Sequence, residues 1–417
     1  MSNPAPERLP SDVRMRGFLK RSTVEAAIQW IDSILPGRNH LPVEDVSLLD
    51  AGGRVLARDV TSRISVPGFV RSMMDGYALH ADDTQGATAY NPLSIKVVGA
   101  SLPGAPFSGD VLPGQAVRIM TGAPMPAGAD AVLPVENTQL DGQNVLATGE
   151  TSPGKHVGAI GEDVQSGDVV LSAGRILRPQ DLGVLSSIGV AQVPVVRRPR
   201  VRIVITGNEL APMGSVPTGH QIADANGPML AALVARDGGE VVFPGIIPDT
   251  REKIRQALLD DADIILVSGG SSVGEEDFAP TLLAELGELP IHGIAMRPSS
   301  PTGMGRIAGR PVFLLPGNPV SCLCAYDFFA GRAIRAWAGR SREWPYVRAT
   351  ASLTRKLVST VGRLDYARVR LQGDEAEPLA ISGASILSST TRADGFVVVP
   401  ADSEGYPQGA RVEVWNY

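Results

Sequence analysis

Four consecutive apolar residues, Ile264–Val267, run without alternation into Ser268-Gly269-Gly270-Ser271-Ser272-Val273-Gly274. An unalternated run of this kind is the pattern of a strand covered on both faces, as in a parallel sheet with helices above and below. The glycines and serines at its end let several backbone N–H groups approach an anion. Ligands of open α/β sheets bind at the carboxyl ends of strands. Glu275, Glu276 and Asp277 follow directly. Carboxylates beside an anion loop repel the ligand unless a cation lies between them. Mg²⁺ is the usual cation, held by one or two carboxylates together with ligand oxygens. A plain glycine turn leading into a solvated acidic helix start suits the same residues.

The surroundings extend the pattern. Val201–Ile205 reads as a strand ending at Thr206-Gly207-Asn208-Glu209, and Val241–Ile247 as another ending at Pro248-Asp249. Asn226 is placed to cap a helix over Met229–Arg236, and Thr250 to cap one reaching Leu259. A helix near Pro280–Leu286 precedes a strand at 312–315, which stops at Pro316-Gly317-Asn318-Pro319. Strands alternating with helices imply a parallel sheet with right-handed crossovers. Glu209, Asp249 and Asp277 each follow a strand and so share one edge of that sheet. Singly, each suits a helix cap or a solvated acid. Beside a Gly-Ser loop, the three together favour a cation-and-oxyanion site.

The remaining chain is of other kinds. Ser22-Thr23-Val24-Glu25 has the form of a capping box, followed by Ala27, Ile28 and Ile31 at helical spacing. Residues 45–147 read as β, with runs at Val46–Leu56, Leu93–Val98, Ala116–Met120 and Ala131–Val135 between Pro and Gly clusters. Pro179–Ile188 reads as helix. The last stretch has strand patterns at Val347–Leu353, Leu364–Leu371, Phe396–Val399 and Ala410–Trp415, which suit a small β-barrel. The expected organisation is a discontinuous first module of residues 14–44 and 148–196, a β-rich insert at 45–147, a Rossmann-like α/β domain at 197–340 and a β-barrel at 341–417.

A net charge of −6 gives no bulk attraction to nucleic acid or acidic membrane. Arg197-Arg198-Pro199-Arg200-Val201-Arg202 abuts a strand and reads as a solvated domain entrance. No apolar run approaches the ~18 residues of a membrane span, and the expected location is the cytoplasm. Cys322 and Cys324 lie two apart in a helical pattern, where side chains do not face each other, so neither a disulfide nor a metal pair is expected.

The stretches at 262–277 and 311–321 resemble the molybdopterin molybdotransferase family, the bacterial MoeA proteins and the E domain of gephyrin. The resemblance extends to Ser72-Met73-Met74-Asp75-Gly76-Tyr77-Ala78, Arg118-Ile119-Met120-Thr121-Gly122-Ala123, Gly161-Glu162-Asp163 and Thr206-Gly207-Asn208-Glu209. These blocks lie in one order over nearly the whole chain. The resemblance implies an elongated homodimer that takes an adenylated molybdopterin, inserts molybdate and releases AMP with Mg²⁺. It implies that Asp249 and Asp277 hold the metal, with Glu209 assisting. Gly207, Ser268, Gly269, Gly270, Gly274 and the Pro316-Gly317-Asn318-Pro319 turn would cradle phosphate and pterin. Asp75 and Thr121 would complete the cleft from the other subunit, and Asp163 is a family site residue. Arg363 and Ser389 match family positions that face the cleft.

One stretch departs from the family. After Ile294-Ala295-Met296 its members usually read Lys-Pro-Gly-Lys-Pro, whereas this chain reads Arg297-Pro298-Ser299-Ser300-Pro301. Arg297 keeps one charge. Ser299 and Ser300 can donate hydrogen bonds to an oxyanion without neutralising it, at roughly 0.5–1.5 kcal/mol each against about 1.5–3 for a charged bond. A second class of function therefore stands beside the enzyme. This is a gephyrin-like dimeric scaffold with a weakened site, binding a short peptide of a cytoskeletal partner, such as the bacterial tubulin homologue, or of a membrane receptor.

Overall fold

A computed structural model describes residues 21–37, 40–270, 277–380 and 383–417. They form two compact units. One comprises the described residues up to Glu44 together with Val196–Tyr417, and the other comprises Asp45–Val195.

The Asp45–Val195 unit holds a six-stranded sheet in the order Ala131–Pro134, Gly76–Leu79, Gln115–Ile119, Leu93–Ser101, Asn144–Ala147, Thr138–Asp141. Gly76–Leu79 is buried along its whole length between two partners. Glycine is required at its start, because a Cβ on Gly76 would stand 2.0 Å from the Leu133 carbonyl oxygen. Tyr77, Leu79, Ile95, Leu133 and Val145 fill one face. The strand expected over Val46–Leu56 stops early. Strand Val43–Ser47 gives way to a 3-10 turn at Leu48–Asp50, where Ser47 Oγ donates to the Asp50 carboxylate at 2.7 Å.

In the other unit, Glu240–Val242, Arg200–Thr206, Ile264–Ser268 and Arg310–Leu315 pair in parallel, and Ile246–Ile247 extends the pairing of Arg200–Thr206. All five residues of Ile264–Ser268 are buried, as an unalternated run requires. Two apolar clusters cover the sheet. One includes Ile203, Leu266 and Phe313, and the other Val204, Ile265 and Leu314.

The sheet is not parallel throughout. Gly303–Ile307 and Glu288–His292 complete it antiparallel. The link from Ile307 to Arg310 is Ala308-Gly309, with φ of 49° and 81°. A two-residue link with both φ positive is a tight hairpin, and a hairpin joins only antiparallel strands.

Helix Val24–Ile34 belongs to this unit. Thr23, not Ser22, is its cap and accepts from the Ala26 N–H at 3.1 Å. Val24, Ala27 and Ile31 enter the core formed with Phe328, Phe329 and Ile334. The helix expected at Met229–Arg236 begins earlier, at Asn226. Its first turn is held by Asp224, which accepts from the Gly227 N–H at 2.8 Å, so Asn226 is not the cap.

The C-terminal strands close into a barrel. Leu364–Gln372, Glu375–Ala380, Val347–Leu353, Arg411–Asn416 and Gly395–Val399 pair in turn, and Gly395–Val399 also pairs with Leu364–Gln372. Met296–Arg297 adds to the barrel in parallel beside Leu364 and Asp365. No described helix is long and apolar enough to cross a membrane.

Candidate functional site

The site is built at the carboxyl edge of the Val196–Tyr417 sheet. Ile264–Ser268 delivers Gly269 and Gly270, with φ of 98° and 57°. Both values lie in the left-handed region that glycine adopts without strain. A Cβ on Gly269 would stand 2.0 Å from the Thr206 carbonyl oxygen, so only glycine lets this loop lie against the end of Arg200–Thr206. The same edge carries Gly317, where a Cβ would be 3.8 Å from Gly269 Cα. The Gly-Gly loop and the Pro316-Gly317-Asn318-Pro319 turn therefore touch.

Two of the expected carboxylates converge here. A Cβ on Gly270 would be 3.8 Å from Asp249 Oδ1 and 3.8 Å from Asp277 Oδ1. The Asp249 turn is tied to the neighbouring strand end through Asn208 Oδ1, which accepts from the Asp249 N–H at 3.4 Å. Glu209 behaves differently. Its carboxylate folds over its own turn, with Oε2 2.8 Å from where a Gly207 Cβ would be. Among the described residues no three His, Cys, Asp or Glu side chains form a metal-holding group. A pair of carboxylates completed by ligand oxygens still fits Mg²⁺, which is commonly bound through one or two carboxylates. Gly274 lies outside the described residues, as do Glu275 and Glu276.

Polar contacts tie the turns together. Asn226 Nδ2 donates to Ser268 Oγ at 2.9 Å and to the Gly317 carbonyl at 2.7 Å. Asn318 Oδ1 accepts from Ser385 Oγ at 2.7 Å, and the Val320 N–H donates to the Ala384 carbonyl at 2.9 Å. Cys322, on the helix after the turn, is fully buried, and burial pushes its thiol up to about 12. It is no thiolate nucleophile at neutral pH.

The Arg297-Pro298-Ser299-Ser300-Pro301 stretch is folded into the protein. Arg297 pairs with Asp365, which is wholly buried. Arg363 Nε also reaches Asp365, at 3.1 Å, and Ser359 Oγ donates to it at 2.8 Å. Two guanidiniums share one carboxylate, so the group keeps a net positive charge. Ser299 is buried at φ 89°, its hydroxyl donating to the Ser321 carbonyl at 2.7 Å. Ser300 Oγ is buried and has no hydrogen-bond partner among the described residues. Ser389 turns its hydroxyl into its own turn, donating to the Ile386 carbonyl at 2.5 Å.

Within Asp45–Val195, Asp75 and Thr121 come together. Asp75 Oδ1 accepts from the Thr121 N–H at 2.7 Å and from Thr121 Oγ1 at 2.8 Å. These two bonds hold the Asp75 carboxyl below its ordinary range, with a smaller contribution from the Arg118 charge. Asp163 stands on an exposed turn anchored by its N–H on the Val66 carbonyl at 3.1 Å.

Sequence reasoning missed Asp365, Ser385 and the bridging role of Asn226. For Asp365 a signal existed. Asp365 lies two positions after Arg363, just inside the strand Leu364–Gln372, and an acid so close in the chain to an arginine is a natural partner. Asn226 and Ser385 meet partners distant in the chain and carry no such signal.

The chain is similar in sequence and fold to known proteins. Residues 22–189 match the MoeA N-terminal region (domain I and II), residues 202–336 a probable molybdopterin binding domain, and residues 350–417 the MoeA C-terminal region (domain IV). The chain is 37% identical over 388 residues to molybdopterin molybdenumtransferase 2 of Mycobacterium tuberculosis, covering 89% of this chain and 94% of that protein. It is 33% identical over 383 residues to the molybdopterin molybdenumtransferase of Haemophilus influenzae, covering 89% and 93% respectively. A crystal structure of the molybdopterin biosynthesis MoeA protein from Pyrococcus horikosii superposes with a TM-score of 0.80 at 33% identity, covering 95% of this chain and 99% of that one.

Proposed function

The chain belongs to the MoeA family of molybdopterin molybdenumtransferases, and from that premise we infer that it inserts molybdate into adenylated molybdopterin with release of AMP. The observation that carries this reading is the meeting of the Gly269-Gly270 loop, the Gly317 turn and the Asp249–Asp277 pair at one sheet edge. Backbone N–H groups of the two turns suit the phosphate of the substrate. The net positive group of Arg297, Arg363 and Asp365 attracts oxyanions. Asp249 and Asp277 would hold Mg²⁺, whose chemistry when bound is to polarise a phosphoryl oxygen. The protein's own part is to fix the anhydride and the incoming oxyanion in mutual reach, and no covalent nucleophile is required. The serines of the departing stretch are accommodated in this reading, because Arg297 and Arg363, sharing Asp365, still leave one net positive charge there. The Mycobacterium tuberculosis and Haemophilus influenzae relatives are named as molybdenumtransferases, and no observation favours the scaffold. A homodimer is part of the proposal, and light scattering at micromolar concentration tests it.

Asp277→Asn is the decisive variant. It removes one negative charge from the proposed metal pair and changes little in shape. AMP release from adenylated molybdopterin should become undetectable at a Mg²⁺ concentration that saturates the unaltered protein. Equal turnover by the two proteins would remove Asp277 from the mechanism.

A further inference from the structure

The link between the two ligand turns runs through a residue that neither turn contains. Asn226 opens the helix Asn226–Arg236 and is 7% exposed. A side-chain amide has two N–H donors, and both are committed. One reaches Ser268 Oγ at 2.9 Å, the residue before Gly269, and the other reaches the carbonyl of Gly317 at 2.7 Å. Ser268 Oγ is in turn 3.7 Å from Cys322 Sγ, on the helix that leaves the Gly317 turn. A single amide carried on a third element thus closes a ring through both turns.

The chemistry of the partners selects asparagine. The Gly317 carbonyl can only accept, so the group facing it must donate. Aspartate has the same shape and offers no donor when ionised. The helix does not need Asn226 for its start, because Asp224 takes the Gly227 N–H at 2.8 Å. Asn226 Oδ1 is buried without a partner among the described residues. A buried acceptor left unpaired is unfavourable, and its persistence fits an amide held by what its donors do.

We propose that Asn226 is a positioning residue of the transferase: it sets the separation of Gly269-Gly270 from Gly317, so that both turns engage one substrate. The proposal rests on the transferase reading above, and it has a physical content that is independent of turnover. Misplacing a bound group by a fraction of an ångström lowers the rate without abolishing binding.

The test uses the full chain with Asn226→Asp, and with Ser268→Ala as a milder variant that cuts one arm of the tie. Hydrogen exchange read by mass spectrometry comes first. Peptides ending at Gly270 and peptides containing Gly317 should exchange at least about ten-fold faster in Asn226→Asp, because the donor to the Gly317 carbonyl is replaced by a carboxylate that repels it and the tie between the turns is broken. The peptide over Asn226–Arg236 should be unchanged. Steady-state kinetics come second. In Asn226→Asp, kcat should fall roughly 10- to 100-fold with KM altered far less. Ser268→Ala should show a smaller effect of the same kind. Unchanged exchange at both turns overturns the tie. Faster exchange with unaltered kcat overturns the positioning role. General loss of protection across the sheet in both variants also overturns it, since that is a folding role. An unaltered chain without turnover, whose turns still loosen in Asn226→Asp, sinks the transferase reading and leaves the tie standing.

Discussion

Asp75 is an exposed acid whose charge is nevertheless set by its neighbour. The Thr121 N–H and hydroxyl both donate to one of its oxygens, at 2.7 and 2.8 Å, and lower its pKa from an ordinary value of 3.8. The sign of the pH dependence follows. A carboxyl with a depressed folded pKa contributes its hydrogen bonds fully above its ordinary value and loses them as pH falls through the folded one. The amide proton shift of Thr121, followed by NMR, should therefore titrate with a midpoint below 3.8. In Asp75→Asn the acid-range titration should vanish. A midpoint above 3.8 would contradict the two-bond arrangement. This pair was visible in sequence as two separate motifs. Their direct contact was not, because 46 residues separate them and turn propensities say nothing of such distances. Likewise Asp249 and Asp277 were readable as acids after strands, whereas the curl of Glu209 over Gly207 depends on a side-chain rotamer that no pattern encodes.

At the scale of elements, periodicity was informative where one face is dry. Ile264–Ser268 and Arg310–Leu315 are buried strands, as their apolar runs required. The reversal after Ala308-Gly309 was not legible, since strand patterns do not state direction, and only the left-handed φ pair shows the hairpin. The helix Pro179–Ser187 shows how much one residue can hold. Asp181 accepts from the Arg178 N–H at 2.9 Å, and from Arg175 at 2.8 and 3.0 Å. Its side chain is buried while both arginines stay partly exposed, and their hydrogen bonds hold its carboxyl well below the usual range. Asp181→Ala should destabilise the Asp45–Val195 unit by about 2–3 kcal/mol, the size of a cap plus a charged hydrogen bond. The released guanidiniums can turn to water, which keeps the loss below that of a fully buried ion pair. Urea melts of the intact chain, read by a probe within residues 45–195, check this. A change under about 0.5 kcal/mol would place the arginines' bonds among ordinary surface pairs.

For the molecule as a whole, continuity in the chain and continuity in space differ. Residues 14–44 were expected to join residues 148–196, yet the described helix Val24–Ile34 packs into the core of the Val196–Tyr417 unit. Amphipathic spacing identifies a buried face and never names what covers it, so this assignment lay beyond the sequence. Val24 and Ile31 are each about 1.5–3 kcal/mol of burial. Asp32 adds a two-pronged contact to Arg332 at 2.8 and 2.9 Å. Against a typical total stability of roughly 5–15 kcal/mol, a fragment of residues 196–417 alone should be severely weakened. The entry and exit of the intervening unit lie together, since the Arg197 N–H donates to the Pro42 carbonyl at 2.8 Å. A short glycine linker from Glu44 to Val196 should therefore yield a protein that melts cooperatively in urea. The same protein without residues 21–44 should melt at a much lower midpoint or aggregate. Residues 45–195, with their own apolar cores, should fold as a separate fragment. Equal midpoints with and without residues 21–44 would show that Val24–Ile34 is a passenger on that core and contributes nothing to holding it.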